Sequence, residues 1–505
     1  MYSASTPNDV RGPFASRRAG MLNRAASAFW RTSHPVALFC FCRGRPGATV
    51  QFVLARAVRY TRKRPHNARE RILTLAVQER LIRPARNIYG SLRLPGDKSI
   101  SHRYAMLGAF AEGVSRFTNF STGADCASTL ACMEALGAKV NRLGGDRVEI
   151  TGVGGGVTPA DGPLDCGNSG STMRMLAGLL AAQKGRFTLA GDASLSRRPM
   201  ERIRRPLEAM GARLTLTEGH APLTIEGGAL EAIDYTTPTP SAQVKTCVLL
   251  AGLQTAGATT VREAVRTRDH SELALRAFGA VLSRTLDSVS IAGPQELHAI
   301  EAAVPGDLSS AAFFMCAAAL FPGSGLVLDS IGLNPTRAAL LDVLTALDAH
   351  IAVLNLEEKH AELVGTMQVS GPADGLGSTT VSGALAAQLI DELPVLAAIA
   401  PFTRGGICLR DAKELRVKES DRIALLARNL RAMGAEVTEF EDGLDVPGGQ
   451  RLHGAAIDSG GDHRIAMAFS VAALKAEGET LIQGADSAAI SFPEFFELLD
   501  MVAER

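Results

Sequence analysis

From about residue 87 the chain alternates between two hydrophobic patterns. Short runs rich in β-branched residues, such as KVNRL (139–143), RVEITGV (147–153) and RLTLTEG (213–219), give way to longer Ala- and Leu-rich runs. HRYAMLGAFAEG (102–113), STMRMLAGLLAAQ (171–183) and SAQVKTCVLLAGLQ (241–254) are of the second kind. The first pattern predicts strands and the second predicts helices, and their alternation predicts an α/β protein. Turn signals such as LGGD (143–146), TGVGGG (151–156) and TPTP (237–240) separate the units.

The pattern also echoes itself. LGAKV (136–140), MGARL (210–214), FGAVL (278–282) and MGAEV (433–437) each read as a helix stop followed by a strand, with Gly placed for the left-handed turn that ends a helix. LPGDKSIS (94–101) and VPGDLSSA (304–311) share apolar-Pro-Gly-Asp-x-Ser ahead of an Ala-rich run. Copies of one helix-and-strand unit at irregular spacing predict two similar lobes rather than a solenoid. With crossings near residues 96 and 305, the first lobe is expected over 97–305 and the second over 86–96 plus 306–505.

Charge changes this picture at one end. Met1–Pro65 holds twelve Lys and Arg against the single acid Asp9, which leaves 41 bases and 51 acids for the rest of the 505 residues. The body is therefore mildly acidic. Residues 1–85 are expected to be a basic arm outside the fold, a disordered tail or the product of a misplaced start. The arm's Arg- and Ser-rich, acid-poor composition leaves organelle targeting as the functional alternative. The eight cysteines form no CxxC pair. A reducing, cytoplasmic setting with free buried thiols is expected. No metal-binding spacing such as HExxH occurs, so neither metal nor cofactor is expected.

The chemistry gathers at predicted helix starts. LPGDKSISHR (94–103) is not a P-loop, because Asp97 stands where that motif needs Gly. It is a helix start offering backbone N–H groups, the Ser99 hydroxyl and the Lys98 charge, with Arg103 one turn on. DCGNSGSTMRMLAG (165–178) is a second such start, with Gly170 in the turn and Arg174 close by. Arg198-Pro199 falls in an Arg-rich turn, PSAQVKT (240–246) offers Ser241 and Gln243, and RTRDHSE (266–272) adds Arg268. Asp391 precedes the apolar run ELPVLAAIA, and SGGDHRIAMAFS (459–470) sets Asp462, His463 and Arg464 after two glycines. ELRVKESDRIALL (414–426) predicts Lys418 and Arg422 on one helical face with Glu419 between them. Each segment alone fits a capped helix or an exposed salt-bridge ladder. Together they describe a site for several anionic groups, with Asp391 and Glu419 as its proton-handling acids.

LPGDKSISHR, GNSGSTMR, RRPM, SAQ, RTRDH, DELP, ELRVKESDR and DHRIAMAF occur in the order found in the 5-enolpyruvylshikimate-3-phosphate synthases, and from about Leu92 to Pro493 the chain resembles that family of enolpyruvyl transferases. The resemblance implies two lobes, each an inside-out α/β barrel of repeated βαβαββ units. It implies transfer of the enolpyruvyl group of phosphoenolpyruvate to the 5-hydroxyl of shikimate 3-phosphate, with release of phosphate. It assigns Lys98, Ser99, Arg103, Ser241, Ala242, Gln243, Arg268, Asp391 and Lys418 to shikimate 3-phosphate. It assigns Lys98, Gly170, Arg198, Gln243, Arg422 and Arg464 to phosphoenolpyruvate. Asp391 would take the hydroxyl proton, with Glu419 and Lys98 handling protons at the methylene carbon. Two positions depart from the pattern of many members. Ile490 stands where they carry a Lys that contacts phosphoenolpyruvate, and Ala242 where some carry Ser. Gly170 keeps the small residue that leaves room for glyphosate in sensitive members.

Other readings are a sister transferase acting on UDP-N-acetylglucosamine and a non-catalytic anion-binding relative. The first usually has a reactive Cys in a first-lobe loop, and the nearest here, Cys166, is expected to pack as a small apolar residue. Partners are expected to be the two small molecules alone, with no nucleic acid or membrane, and the chain is expected to act as a monomer.

Overall fold

The structure, a computed structural model, describes residues 79–505. Its sheets repeat one plan, a parallel pair followed by antiparallel neighbours. The sheet ordered Leu164–Asp165, Gly185–Ala190, His220–Gly227, Arg213–Thr217 is parallel across its first pair and antiparallel thereafter. Sheets built around Val114–Thr118 and around Gly257–Arg262 repeat it before residue 305. Beyond it, sheets around Gly406–Leu409 and Gly325–Gly332 do the same, and a third is cut to three strands.

The Ala-rich runs form central helices, Lys98–Phe110, Gly170–Ala181 and Ala242–Gly252 in the first half and Leu308–Ala319, Leu393–Ile399 and His463–Ala473 in the second. Apart from the polar residues of their first turn or two they are apolar on every side, and a helix of that kind is stable only inside. All twelve residues of LSSAAFFMCAAA (308–319) are buried, as are all eleven of HRIAMAFSVAA (463–473). The sheets wrap these helices, so each half is an α/β barrel turned inside out. One core runs from Ile100 to Val304, while the other joins Ile82, Ile88, Leu92 and Leu94 to residues from Leu308 to Val502.

The two Pro-Gly-Asp segments lie side by side where the chain passes between the cores. Gly96 bridges Gly306, Asp97 N donates to Pro305 O at 2.8 Å, and Asp307 N donates to Pro95 O at 3.0 Å. A Cβ on Gly96 would lie 1.8 Å from Asn119 O, so only Gly permits this approach. The four helix-stop glycines, Gly137, Gly211, Gly279 and Gly434, have φ between 89° and 103°.

Two expectations need correction. Glu79–Ile82 is a strand paired antiparallel with Thr480–Gln483, and Ile82 is buried in the second core, so the final part of the supposed arm 1–85 belongs to the fold. Its single inward-facing residue among exposed ones made it look like arm. The rest of that expectation lies outside the described residues. Lys418 and Arg422 do not share a helical face: a 3-10 helix ends at Val417, Asp421 caps the next helix, and that helix starts at Arg422. Asp421 in cap position competes with a continuous helix. Among the described residues no helix is long and apolar enough to cross a membrane.

Candidate active site

All six central helices direct their N-terminal ends at one cleft of about 340 Å³ between the two cores. Lys98 and Ser99, Gly170 and Ser171, and Ser241 to Gln243 line it from one side. Asp307, Asp391, and His463 with Arg464 line it from the other. Helix N-termini carry partial positive charge and free N–H groups, so their convergence favours anions. The side chains add to it: eleven Lys and Arg line the cleft against six Asp and Glu, an excess of five positive charges within an acidic body.

Side-chain caps set these helix starts except at Leu393–Ile399, which has none. Asp97 accepts from Ile100 N at 2.9 Å, Ser169 from Thr172 N at 3.1 Å, Ser241 from Val244 N at 3.4 Å, and Asp462 from Arg464 N at 2.9 Å. Lys98, just inside its cap, pairs with Asp125 at 3.0 Å. Burial pulls on the Lys98 ammonium to release its proton, but the charge and hydrogen bond of Asp125 together with the charge of Glu419 overcome that and leave its pKa raised. Gln243 is held between Arg174, which donates to its Oε1 at 2.8 Å, and Ser171, which accepts from its Nε2 at 3.0 Å. Arg103 is locked by Ser99 O, Ser271 Oγ and Thr246 Oγ1 at 2.7, 2.7 and 3.0 Å.

Across the cleft the acids sit among cations. Asp391 accepts from Arg268 at 2.8 Å, with Arg422 3.8 Å away. Burial alone would raise its pKa, but Arg268, Lys418, Arg464 and Arg422 hold it well below the usual carboxylate range. Glu419 lies 2.6 Å from Arg422 and 3.4 Å from Arg198. It too is held low, the surrounding cations overriding its burial. Arg422 is aimed by Asp462 at 2.8 Å, and Arg464 by Ser309 Oγ at 2.6 Å and Asp391 O at 3.0 Å. His463 is kept neutral by burial and by Lys98. Buried nitrogens of Arg174, Arg198, Arg337 and Arg422 have no hydrogen-bond acceptor among the described residues, an arrangement suited to an anion.

Every residue to which the resemblance assigns a substrate or proton-handling role lines this cleft, namely Lys98, Ser99, Arg103, Gly170, Arg198, Ser241, Ala242, Gln243, Arg268, Asp391, Lys418, Glu419, Arg422 and Arg464, whereas Asp462 lies behind it. Ile490 is not among the lining residues; its carbonyl packs against the turn at Gly123. Cys166 is likewise absent from the lining and is fully buried, its thiol raised in pKa by Cys132 and by burial.

Sequence reasoning did not single out Asp125, Arg202, Arg337 and Glu414, which also line the cleft. Arg337 sits 3.6 Å from Asp97 and 3.3 Å from Asp307 and so joins the two crossing segments. Arg202 meets Glu414 at 3.1 Å across the cleft. Glu414 lay within ELRVKESDR and could have been found from that run. Arg337 stands alone in NPTRAALL (334–341), where no local signal marks it.

Residues 82–499 match the family model of EPSP synthase (3-phosphoshikimate 1-carboxyvinyltransferase). The chain is 63% identical over 424 residues to the 3-phosphoshikimate 1-carboxyvinyltransferase of Koribacter versatilis (strain Ellin345), covering 84% of this chain and 99% of the relative. It is 53% identical over 428 residues to that of Solibacter usitatus (strain Ellin6076), covering 84% and 100%. A solved structure of EPSP synthase from Acinetobacter baumannii superimposes with a TM-score of 0.75 at 40% identity, covering 84% of this chain and 98% of that one.

Proposed function

The chain belongs to the EPSP synthase family and transfers the enolpyruvyl group of phosphoenolpyruvate to the 5-hydroxyl of shikimate 3-phosphate, releasing phosphate, and we propose how its cleft residues divide that work. Shikimate 3-phosphate is held by Lys98, Ser99, Arg103, Ser241, Ala242, Gln243, Arg268, Asp391 and Lys418. Phosphoenolpyruvate is held by Lys98, Gly170, Arg198, Gln243, Arg422 and Arg464. The observation that carries this reading is the excess of five positive charges at six convergent helix starts, matched to substrates that bring two phosphates and two carboxylates.

Asp391 takes the proton of the 5-hydroxyl as its oxygen bonds to C2 of phosphoenolpyruvate. Glu419 or Lys98 delivers a proton to the methylene carbon, giving a tetrahedral phosphate ketal. Loss of that proton and of phosphate then restores the double bond on the new ether. In the substrate-free cleft Asp391 is a weak base because cations crowd it. An incoming phosphate draws Arg268 and Lys418 toward itself and so restores basicity to Asp391, which ties proton abstraction to a filled site. Without a Lys at position 490, Arg198, Arg422 and Arg464 carry the phosphoenolpyruvate charge.

The two halves, 97–305 and 86–96 with 306–505, act as lobes closing on the ligands. The chain works as a monomer in the cytoplasm, so light scattering is expected to give a mass near 53.1 kDa. The decisive experiment follows phosphate release from phosphoenolpyruvate in the presence of shikimate 3-phosphate. Turnover that requires both substrates is expected, and a folded protein without it would overturn the reading.

A further inference from the structure

Half of the RTRDH segment has no part in the chemistry above. Arg268 faces the cleft, but Asp269 and His270 turn away from it and are 5% and 2% exposed. They meet residues of the other half: Asn334 and Glu362 are buried, and Thr336 is half-buried at the cleft wall. Asp269 Oδ1 accepts from Asn334 Nδ2 at 2.8 Å and from Thr336 Oγ1 at 3.1 Å, while Asp269 N donates to that hydroxyl at 3.2 Å. Asn334 Nδ2 also donates to Glu362 Oε2 at 2.9 Å, and Glu362 Oε1 lies 2.6 Å from His270 Nδ1. Arg284 and Arg266 complete the set at Asp269 Oδ2, at 2.9 and 3.2 Å.

The same loop is anchored on its own side. Lys245 is buried, pairs with Glu263 at 2.7 Å and Glu272 at 2.9 Å, and donates to Thr267 O at 3.4 Å. Arg268 thus sits on a segment gripped at Thr267 from the first half and at Asp269 and His270 from the second. Its guanidinium then reaches across to Asp391 at 2.8 Å.

We propose that Asn334, Thr336 and Glu362 are positioning residues for substrate binding: through Asp269 and His270 they hold Arg268 in register with Asp391, so that the second half sets how the first grips the phosphorylated substrate. A largely buried polar network in which every member but the His270 Nε2 atom has a partner among the described residues holds one geometry, and a displacement of about 1 Å in a positioned group is costly. The inference rests on the reading of Arg268 as a shikimate 3-phosphate ligand.

The test is a double-mutant cycle in the full chain. Asn334→Ala and the near-isosteric Thr336→Val are each combined with Arg268→Ala, and KM for each substrate is measured beside thermal stability. Either single variant is expected to raise KM for shikimate 3-phosphate about tenfold, the loss of one charge-assisted contact, and KM for phosphoenolpyruvate less than about twofold. Adding Arg268→Ala should then cost no more than Arg268→Ala alone. A merely structural role predicts lowered stability with both KM values moving together, or additive effects in the double variants, and either overturns the proposal. If Arg268→Ala itself leaves KM for shikimate 3-phosphate unchanged, the ligand assignment fails and the inference with it. If Arg268→Ala raises KM but Thr336→Val in a stable protein does not, the assignment stands and the positioning role falls.

Discussion

Gly170 is where a single methyl group would enter the cleft beside its guanidinium groups. A Cβ there would lie 2.9 Å from Arg174 Nη1 and 3.5 Å from Arg198 Nη1, so Ala pushes the Arg174 guanidinium aside and comes into contact with that of Arg198. Gly170→Ala is expected to weaken glyphosate inhibition at least about tenfold and to raise KM for phosphoenolpyruvate by less, because the larger ligand fills the space the methyl takes. Equal inhibition constants for the two forms count against this. Asp391→Ala is expected to lower kcat by about 10²-fold or more, as loss of a general base does; an undiminished kcat removes Asp391 from the mechanism. Asp391 and Glu419 also shape acid stability. Both have folded pKa values below their unfolded ones of 3.8 and 4.5, so their contribution is complete above about pH 5 and is lost as the pH falls through the unfolded values toward the folded ones. Glu419→Gln should therefore flatten the fall of Tm below about pH 5 relative to the parent; an unchanged acid limb would contradict it. Gly170, Asp391 and Glu419 were all readable in the sequence, each inside a motif of several residues. Arg337 was not, because its role comes from two Asp residues at 97 and 307 that are far from it along the chain.

At the scale of elements, helix starts do the work, and their caps were visible as Asp, Ser and Gly before Ala-rich runs. Asp462 serves two purposes, capping His463–Ala473 and pairing with the buried Arg422. Asp462→Ala removes the helix cap and leaves the buried Arg422 guanidinium with Glu419 as its one close acidic partner among the described residues, and a loss of about 3 kcal/mol in denaturant unfolding is expected. A change under about 1 kcal/mol would mean that Glu419 alone suffices for Arg422. The segment ELRVKESDR was misread as one helix because Lys418 and Arg422 have helical spacing, and the cap at Asp421 outweighs that pattern. The strand Glu79–Ile82 was missed because an edge strand with one inward residue has no strong alternation. A chain starting at Glu79 should keep the parent's Tm, while one starting at Arg86 should melt lower for want of a partner to Thr480–Gln483; equal Tm values would deny that strand a role.

For the whole molecule, a positive cleft in an acidic body has a kinetic consequence. The whole chain carries a net charge of only +1, so the attraction felt by an anion comes from the local excess of positive charge at the cleft. With a Debye length of about 10 Å at 0.1 M salt falling to about 3 Å at 1 M, added salt screens the cleft's pull. kcat/KM for shikimate 3-phosphate is expected to fall several-fold between these salt concentrations, with kcat changing less, and a flat profile would show that steering is unimportant. The three cross-cleft pairs, Arg198–Glu419, Arg202–Glu414 and Arg268–Asp391, bring groups from the two halves within 3.4, 3.1 and 2.8 Å. They make the cleft a joint property of both.

The sequence by itself determined the α/β class, the apolar runs that become the six central helices and the chemical type of the groups assigned to the two substrates. Those depend on local matters: apolar periodicity, capping residues and the short spacing of motifs. Only the tertiary structure decided which groups face one another. The pairing of Arg268 with Asp391, the bridge of Arg337 to Asp97 and Asp307, and the buried contact of Asp269 with Asn334 join residues 30 to 240 positions apart. Such contacts arise from the packing of two separate cores around one crossing, and no periodicity along the chain encodes them.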